Sequence, residues 1–157
     1  MLVTLAESNT YFAGRPFSDD WIALSDTDKT KFLTMASNKI ERLPFIGQKE
    51  DSSQTTLFPR VVKAKQGWNY TTLTLTNFDY AIITDTPDEV KWAVFEEAFA
   101  IFKYMNDERY RLRESGVSGA SRGGLSESYE RYNPIGNLLS ALATQYLNNW
   151  LDSTGTL

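Results

Sequence analysis

Four pairs of neighbouring carboxylates stand out along the chain: Asp19/Asp20, Asp88/Glu89, Glu96/Glu97 and Glu127/Glu130. Paired acids can perform acid/base or glycosidase chemistry when burial splits their pKa values. Most of these fall at expected helix starts, where the positive end of the helix dipole accounts for them. Glu97 is different, because it lies between Val94 and Ile101 on an apolar stripe. A carboxylate in that position needs a partner, so an ion pair in the core or at an interface outweighs a catalytic role.

Three further groupings carry possible chemistry. Gly116, Gly119, Gly123 and Gly124 form a Gly/Ser-rich run, but it lacks the Gly-Lys-Ser/Thr ending of a phosphate-binding loop. Trp68, Tyr70, Phe78 and Tyr80 can stack bases on a small sheet, as single-strand binders do. Only Lys63 and Lys65 accompany them, which favours a sheet packed on helices or on another subunit. Arg109, Arg111 and Arg113 can touch DNA or a neighbour's acids, yet Asp107, Glu108 and Glu114 surround them.

Composition narrows the field. The 157 residues include no His and no Cys, with 16 basic and 20 acidic side chains and a net charge of -4. Ser-His-Asp and Cys-His sites, Cys/His zinc sites and disulfides are therefore excluded within one chain. No metal or organic cofactor is expected. The acidic balance argues against a protein that grips many phosphates. No apolar run approaches the roughly 18 residues of a membrane span. The first residues lack the basic and apolar regions of a signal peptide, so a cytoplasmic site of synthesis is expected.

The elements that position these residues read mainly as helices. Thr4-Leu5-Ala6-Glu7 is a capping box opening a helix through about Ala13, with Tyr11 and Phe12 inward and Gly14 as its end. Ser18 caps a short helix containing Trp21, Ile22 and Leu24. Ser25 or Asp26 caps a longer one with Phe32, Leu33, Met35, Ala36, Ile40 and Leu43 inward and Lys29, Lys31, Asn38, Lys39 and Arg42 in water. Pro44 stops it, and 44–60 reads as loop. Period-two alternation over 61–84 predicts two or three short antiparallel strands.

Thr86-Pro87-Asp88-Glu89 predicts an N-cap at Thr86 and a helix to about Arg111. One stripe on it is Val90, Val94, Ala98, Ile101 and Met105. The other is Trp92, Phe95, Phe99 and Phe102. A helix apolar on two faces is central or lies between subunits. Residues 114–132 read as a flexible loop. Asn133-Pro134 opens a last helix burying Leu138, Leu139, Leu142, Ala143, Tyr146, Leu147 and Trp150, and 152–157 is a polar tail. The whole reads as one mainly α domain: a bundle of four to five helices with a β-rich insert at 61–85 and long loops.

The ordered set Val3-Thr4-Leu5-Ala6-Glu7-Ser8-Asn9-Thr10-Tyr11-Phe12, Trp21, Ile40-Glu41-Arg42-Leu43-Pro44-Phe45-Ile46-Gly47-Gln48-Lys49, Leu57-Phe58-Pro59-Arg60, Thr86-Pro87-Asp88-Glu89-Val90-Lys91 and Gly124-Leu125-Ser126-Glu127-Ser128-Tyr129 resembles the head-to-tail connector (adaptor) proteins of tailed bacteriophages. Some relatives there are labelled putative DnaT-like single-stranded-DNA-binding proteins. The resemblance spans nearly the whole chain, with residues 61–85 longer than the family's usual joining segment.

The resemblance implies a structural virion protein rather than an enzyme, placed in the neck between head and tail. It implies a homo-oligomeric ring, often of twelve copies, that docks under a portal protein. The ring extends the channel for double-stranded DNA without binding it specifically, and offers a surface to the tail or to a second connector. By that analogy, Trp150, Leu151, Asp152 and Leu157 are expected at the portal contact. Phe45, Leu57, Phe58, Arg60, Trp92, Phe95, Phe99, Leu125 and Tyr129 are expected between subunits. The alternative is a single-stranded-DNA-binding module working through the Trp68/Tyr70 face.

Overall fold

The computed structural model describes residues 1–63, 73–77, 80–105, 119–122, 125–128 and 138–152. Trp68, Tyr70, Phe78, Arg109, Arg111, Arg113, Gly116, Gly123, Gly124, Tyr129, Glu130, Asn133, Pro134 and Leu157 lie outside the described residues. Five helices are described: α1 (Leu5–Ala13), α2 (Asp19–Ile22), α3 (Asp26–Ile40), α4 (Asp88–Tyr104) and α5 (Ala141–Leu147). The strands are β1 (Gln48–Lys49), β2 (Arg60–Lys63), β3 (Leu73–Asn77), β4 (Tyr80–Ile83), β5 (Gly119–Arg122) and β6 (Leu125–Ser128). The chain is a mainly helical domain with a short antiparallel β insert.

Local chemistry sets most of the helix ends. Thr4 and Glu7 form the expected reciprocal capping box on α1, and Gly14 closes that helix. The Ser25 hydroxyl accepts from the Asp28 N–H to start α3. Helix α4 departs from expectation at its start: Pro87, extended at φ -61° and ψ 151°, is the N-cap instead of Thr86. Proline presets that φ, but its side chain carries no acceptor for the first helical N–H groups, so no side-chain cap is made there.

Ser18 also departs from the expected cap. Its hydroxyl points back to the carbonyls of Phe12 at 2.8 Å and Arg15 at 2.7 Å and makes no cap bond to α2. This closes the corner between α1 and α2. Within that corner Phe17 takes φ 58°. The left-handed region costs a bulky L-residue about 1–2 kcal/mol, and such a conformation persists only when its surroundings over-determine it.

Helix α4 lies at the centre, with α3 and α5 packed along it. Val90, Val94, Ala98 and Ile101 are buried as the first stripe requires, but Met105 is exposed. On the second stripe, Phe95 is buried and Phe99 and Phe102 are half-buried. They join Tyr11, Phe12, Trp21 and Phe32 in a continuous aromatic cluster, with ring centroids 4.7 Å apart for Phe12 and Trp21 and 5.7 Å for Phe32 and Phe102. Edge and tilted contacts of this kind add to the area each ring buries.

The insert is an antiparallel sheet in the order β1-β2-β4-β3. The two-residue β1, within the expected 44–60 loop, pairs Gln48 with Val61 and Lys49 with Arg60. Arg60 faces Ile83 and Val62 faces Ala81 across β2 and β4. All four side chains are buried, so this pleat face closes on the helices, as alternation predicts. Strands β5 and β6 pair with each other, which places a hairpin inside the expected 114–132 loop.

The last helix is shorter than expected. Residues 138–140 are not helical, and α5 starts at Ala141 with the Ser140 hydroxyl accepting from Ala143 N–H at 3.1 Å. Leu142, expected inside, is exposed, as is Met35 on α3. Lys29 and Lys39, expected in water, turn inward instead: Lys29 Nζ donates to the Ile22 carbonyl at the end of α2, and Lys39 Nζ to Glu97.

Candidate assembly surface and its internal supports

Glu97 is completely buried. Its Oε1 accepts from Lys39 Nζ at 2.6 Å, and its Oε2 from the backbone N–H groups of Leu139 at 2.8 Å and Ser140 at 3.0 Å. One carboxylate thus ties α4 to α3 and to the start of α5. The expected buried ion pair is present, and the same carboxylate satisfies two buried backbone donors just ahead of α5.

Glu96 makes a second tie. Arg15 grips it through Nε to Oε1 at 2.6 Å and Nη2 to Oε2 at 2.8 Å, and the Tyr11 hydroxyl donates to Oε1 at 2.8 Å. The guanidinium also lies 4.4 Å from the Phe99 ring centre. A forked Arg–carboxylate pair is among the stronger polar contacts. Burial, and after it the adjacent Glu96 charge, holds the Tyr11 hydroxyl well above the usual tyrosine range. Each of the two carboxylates holds three donors, so both act as fasteners between helices.

The sequence reading missed the Arg15–Glu96 tie. Its signal was geometric: adjacent residues on a helix point about 100° apart, so two acids beside Ala93, Val94 and Ala98 must each find a partner on a different neighbour. Among the described residues two more pairs join separate helices at the surface. Lys91 joins Glu7 at 2.8 Å, and Lys103 joins Asp20, tying α2 to the end of α4.

Arg60 is buried at 7% exposure. It donates through Nε and Nη2 to the carbonyls of Phe45, Ile46 and Gly47 at 2.9–3.1 Å. Burial lowers its pKa from the ordinary arginine value. Beside this turn, Phe45, Phe58 and Trp150 stack edge to face. The Ile46 N–H donates to the Trp150 carbonyl at 2.9 Å and the Asp152 N–H to the Pro44 carbonyl at 2.8 Å. Phe45 and Leu151 form an antiparallel bridge. Residues 150–152 are therefore a strap across the turn at 44–46.

These placements give much of the expected contact set a role within one chain. Phe45, Leu57, Phe58, Arg60 and Phe95, expected between subunits, are buried within their own chain. Phe99 is half-covered beneath Arg15. Trp150 and Leu151, expected at a portal, are spent in the strap. The physical reason is common to all of them. A helix and a return loop with many apolar residues are covered first by the nearest segments of the same chain, here α1, α2 and 150–152.

Trp92, also expected between subunits, is exposed, and its ring meets Tyr146 with centroids 5.6 Å apart. Leu142, one turn before Tyr146 on α5, is exposed as well. Leu125 falls on β6. Among the described residues the most exposed large apolar side chain is Phe17, at 91%, which no sequence motif marks.

Among the described residues, no group of three or more acids stands where it can hold a metal ion, and no helix is long and apolar enough to cross a membrane. Compared with known proteins, the chain matches no family model, no curated protein and no solved structure.

Proposed function

We propose that this chain is a structural subunit of a ring: a connector between the head and tail of a tailed bacteriophage. The observation that carries the reading is the division of labour among its unusual residues. The two carboxylates best placed for chemistry, Glu96 and Glu97, are each saturated by three donors that lock helices together. Apolar side chains remain at the surface in separate places, among them Phe17, Met35, Trp92 and Leu142. A rigid body with scattered apolar contact points suits assembly, because each subunit of a closed ring must offer different faces to its neighbours. The ordered motifs that resemble connector proteins supply the specific setting: a portal above, a tail or second connector below, and DNA passing through.

In this role the acidic chain lines or surrounds a channel without holding phosphates, since like charge keeps DNA sliding. The deciding experiment is electron microscopy of the protein alone and mixed with the portal protein of the same phage. Closed rings, alone or on the portal, are the expected result. Single subunits in both samples would overturn the proposal. Salt-sensitive binding of single-stranded DNA without rings would favour the base-stacking reading instead.

A further inference from the structure

Lys49 and Arg60 are two cations that the fold sets side by side without a counter-charge. They stand directly opposite each other across β1 and β2. Opposed residues of an antiparallel pair share one face of the sheet, with Cβ atoms about 4.5–5.5 Å apart, and like charges there repel. Neither has an acidic partner among the described residues. Asp51, two residues after Lys49, accepts from Ser53 instead.

Both cations are held in place. Arg60 is 93% buried, with Nε and Nη2 tied to the carbonyls of Phe45, Ile46 and Gly47. Lys49 is half-buried, and its Nζ donates to the Gln54 carbonyl at 3.0 Å. Carbonyl dipoles satisfy hydrogen bonds but do not cancel a whole charge, and a buried charge without an opposite one is costly. Burial lowers the pKa of Arg60 with no acid acting against it.

One edge of the guanidinium is still open. Nη1 makes no hydrogen bond among the described residues. Among the described residues that are not exposed, the side-chain polar atoms both sealed from solvent and unbonded are Ser8 Oγ and Trp21 Nε1, so Nη1 reaches solvent. An ammonium carries three N–H donors, and the Gln54 carbonyl takes one of those on Lys49.

We infer that Arg60 and Lys49 form a receptor for one carboxylate, bound by Arg60 Nη1 and the spare donors of Lys49. The ligand class follows from charge and size. A guanidinium edge matches carboxylate oxygens in shape and charge. The narrow opening left at Arg60 admits the tip of an acid, whereas a nucleic-acid backbone is gripped by a row of cations. The carboxylate belongs to a small free acid or to an acidic side chain of a second copy, and the recognising chemistry is the same. This site goes beyond the ring reading and does not depend on it.

The test follows Tm of the dilute protein as sodium acetate replaces sodium chloride at constant ionic strength. A ligand that binds only the folded chain raises the folded-to-unfolded ratio. The expected gain is about fivefold at saturating acetate, read as a rise of roughly 2–4 °C. Lys49→Gln, whose amide can still donate to the Gln54 carbonyl, should lose most of that rise. Arg60→Lys should lose it too, measured against its own chloride baseline, because an ammonium cannot hold the turn and the ligand at once. If that variant does not fold, Lys49→Gln alone decides.

Sedimentation of concentrated protein separates the two sources. Self-association that acetate weakens points to an acidic side chain of a second copy, and sedimentation unchanged by acetate points to a small free acid. No acetate-specific rise in Tm, or an equal rise in Lys49→Gln, overturns the site. A larger rise with inorganic phosphate than with acetate overturns the carboxylate assignment. None of these results bears on whether the protein forms rings with the portal, which microscopy decides separately.

Discussion

The Glu97 carboxylate and the Lys39 ammonium meet at 2.6 Å, and the other oxygen of Glu97 holds the amides of Leu139 and Ser140. Three helices converge on one buried acid. Because Lys39 keeps partial access to water, losing the acid does not strand its charge, but the two amides lose a charged acceptor.

Glu97→Gln should therefore lower stability by about 2–3 kcal/mol, near the range for hydrogen bonds to charged groups plus a broken buried pair. In a domain of this size that corresponds to a fall of roughly 4–12 °C in Tm. Denaturant melts of the two proteins check it, and coincident curves would count against a structural pair.

Arg15→Lys should cost about 1–2 kcal/mol, since an ammonium cannot reproduce the two-pronged grip on Glu96. It should also loosen the corner that fixes Phe17. Amide hydrogen exchange at residues 14–18, compared before and after substitution, reads this directly.

Tyr11 gives the fold a defined alkaline limit. Unfolded tyrosine titrates near about 10, whereas burial and then Glu96 hold the folded hydroxyl well above that. Its contribution is fully present below about pH 10 and falls as pH rises further, because the unfolded chain then releases a proton that the folded chain keeps. Tyr11→Phe should be less stable than wild type by about 1–2 kcal/mol at neutral pH. That gap should shrink above about pH 10. A gap constant from pH 7 to 11 would contradict the assignment.

Gly47 sits at φ 70° beside β2, where an added Cβ would overlap the Val61 carbonyl oxygen. Gly47→Ala should cost about 2–4 kcal/mol, combining left-handed strain with a backbone clash. It should also disturb the Arg60 bonds to residues 45–47. Thermal unfolding checks the first effect, and near-ultraviolet circular dichroism of the adjacent Trp150 checks the second.

The strap separates two truncations. Ending the chain after Trp150 removes Leu151, which is buried against Phe45, and the Asp152 bond to Pro44. That should cost roughly 2–4 kcal/mol from lost burial and one hydrogen bond. Ending it after Asp152 leaves these contacts in place and should leave Tm within about 2 °C. A portal-binding role for residues 153–157 is therefore tested by the second truncation, where loss of binding without loss of stability is the expected outcome.

What the sequence determined by itself was largely local. The capping box at Thr4/Glu7, the Ser25 cap, the Gly14 stop and the period-two alternation within 61–84 each depend on bonds or spacings within a few residues. The apolar spacing of α4 likewise required cover on two faces, from the same chain or from a neighbour, and the placement of Glu97 on that stripe required a partner.

Which residue would be that partner was decided only in three dimensions. Lys39 reads as a surface lysine, and nothing in its neighbours reveals that α3 crosses α4 at Glu97. The same holds for Arg15 and Glu96, 81 positions apart, and for Phe45 and Leu151, whose apolar character suits either a neighbour subunit or the chain's own strap. Phe17 is the converse case. Its type suggests burial, but the bonds closing the corner on either side force it outward. Local pattern specifies which side chains must be covered or neutralised. Chain topology decides what covers them, because that depends on which distant segments reach the same place first.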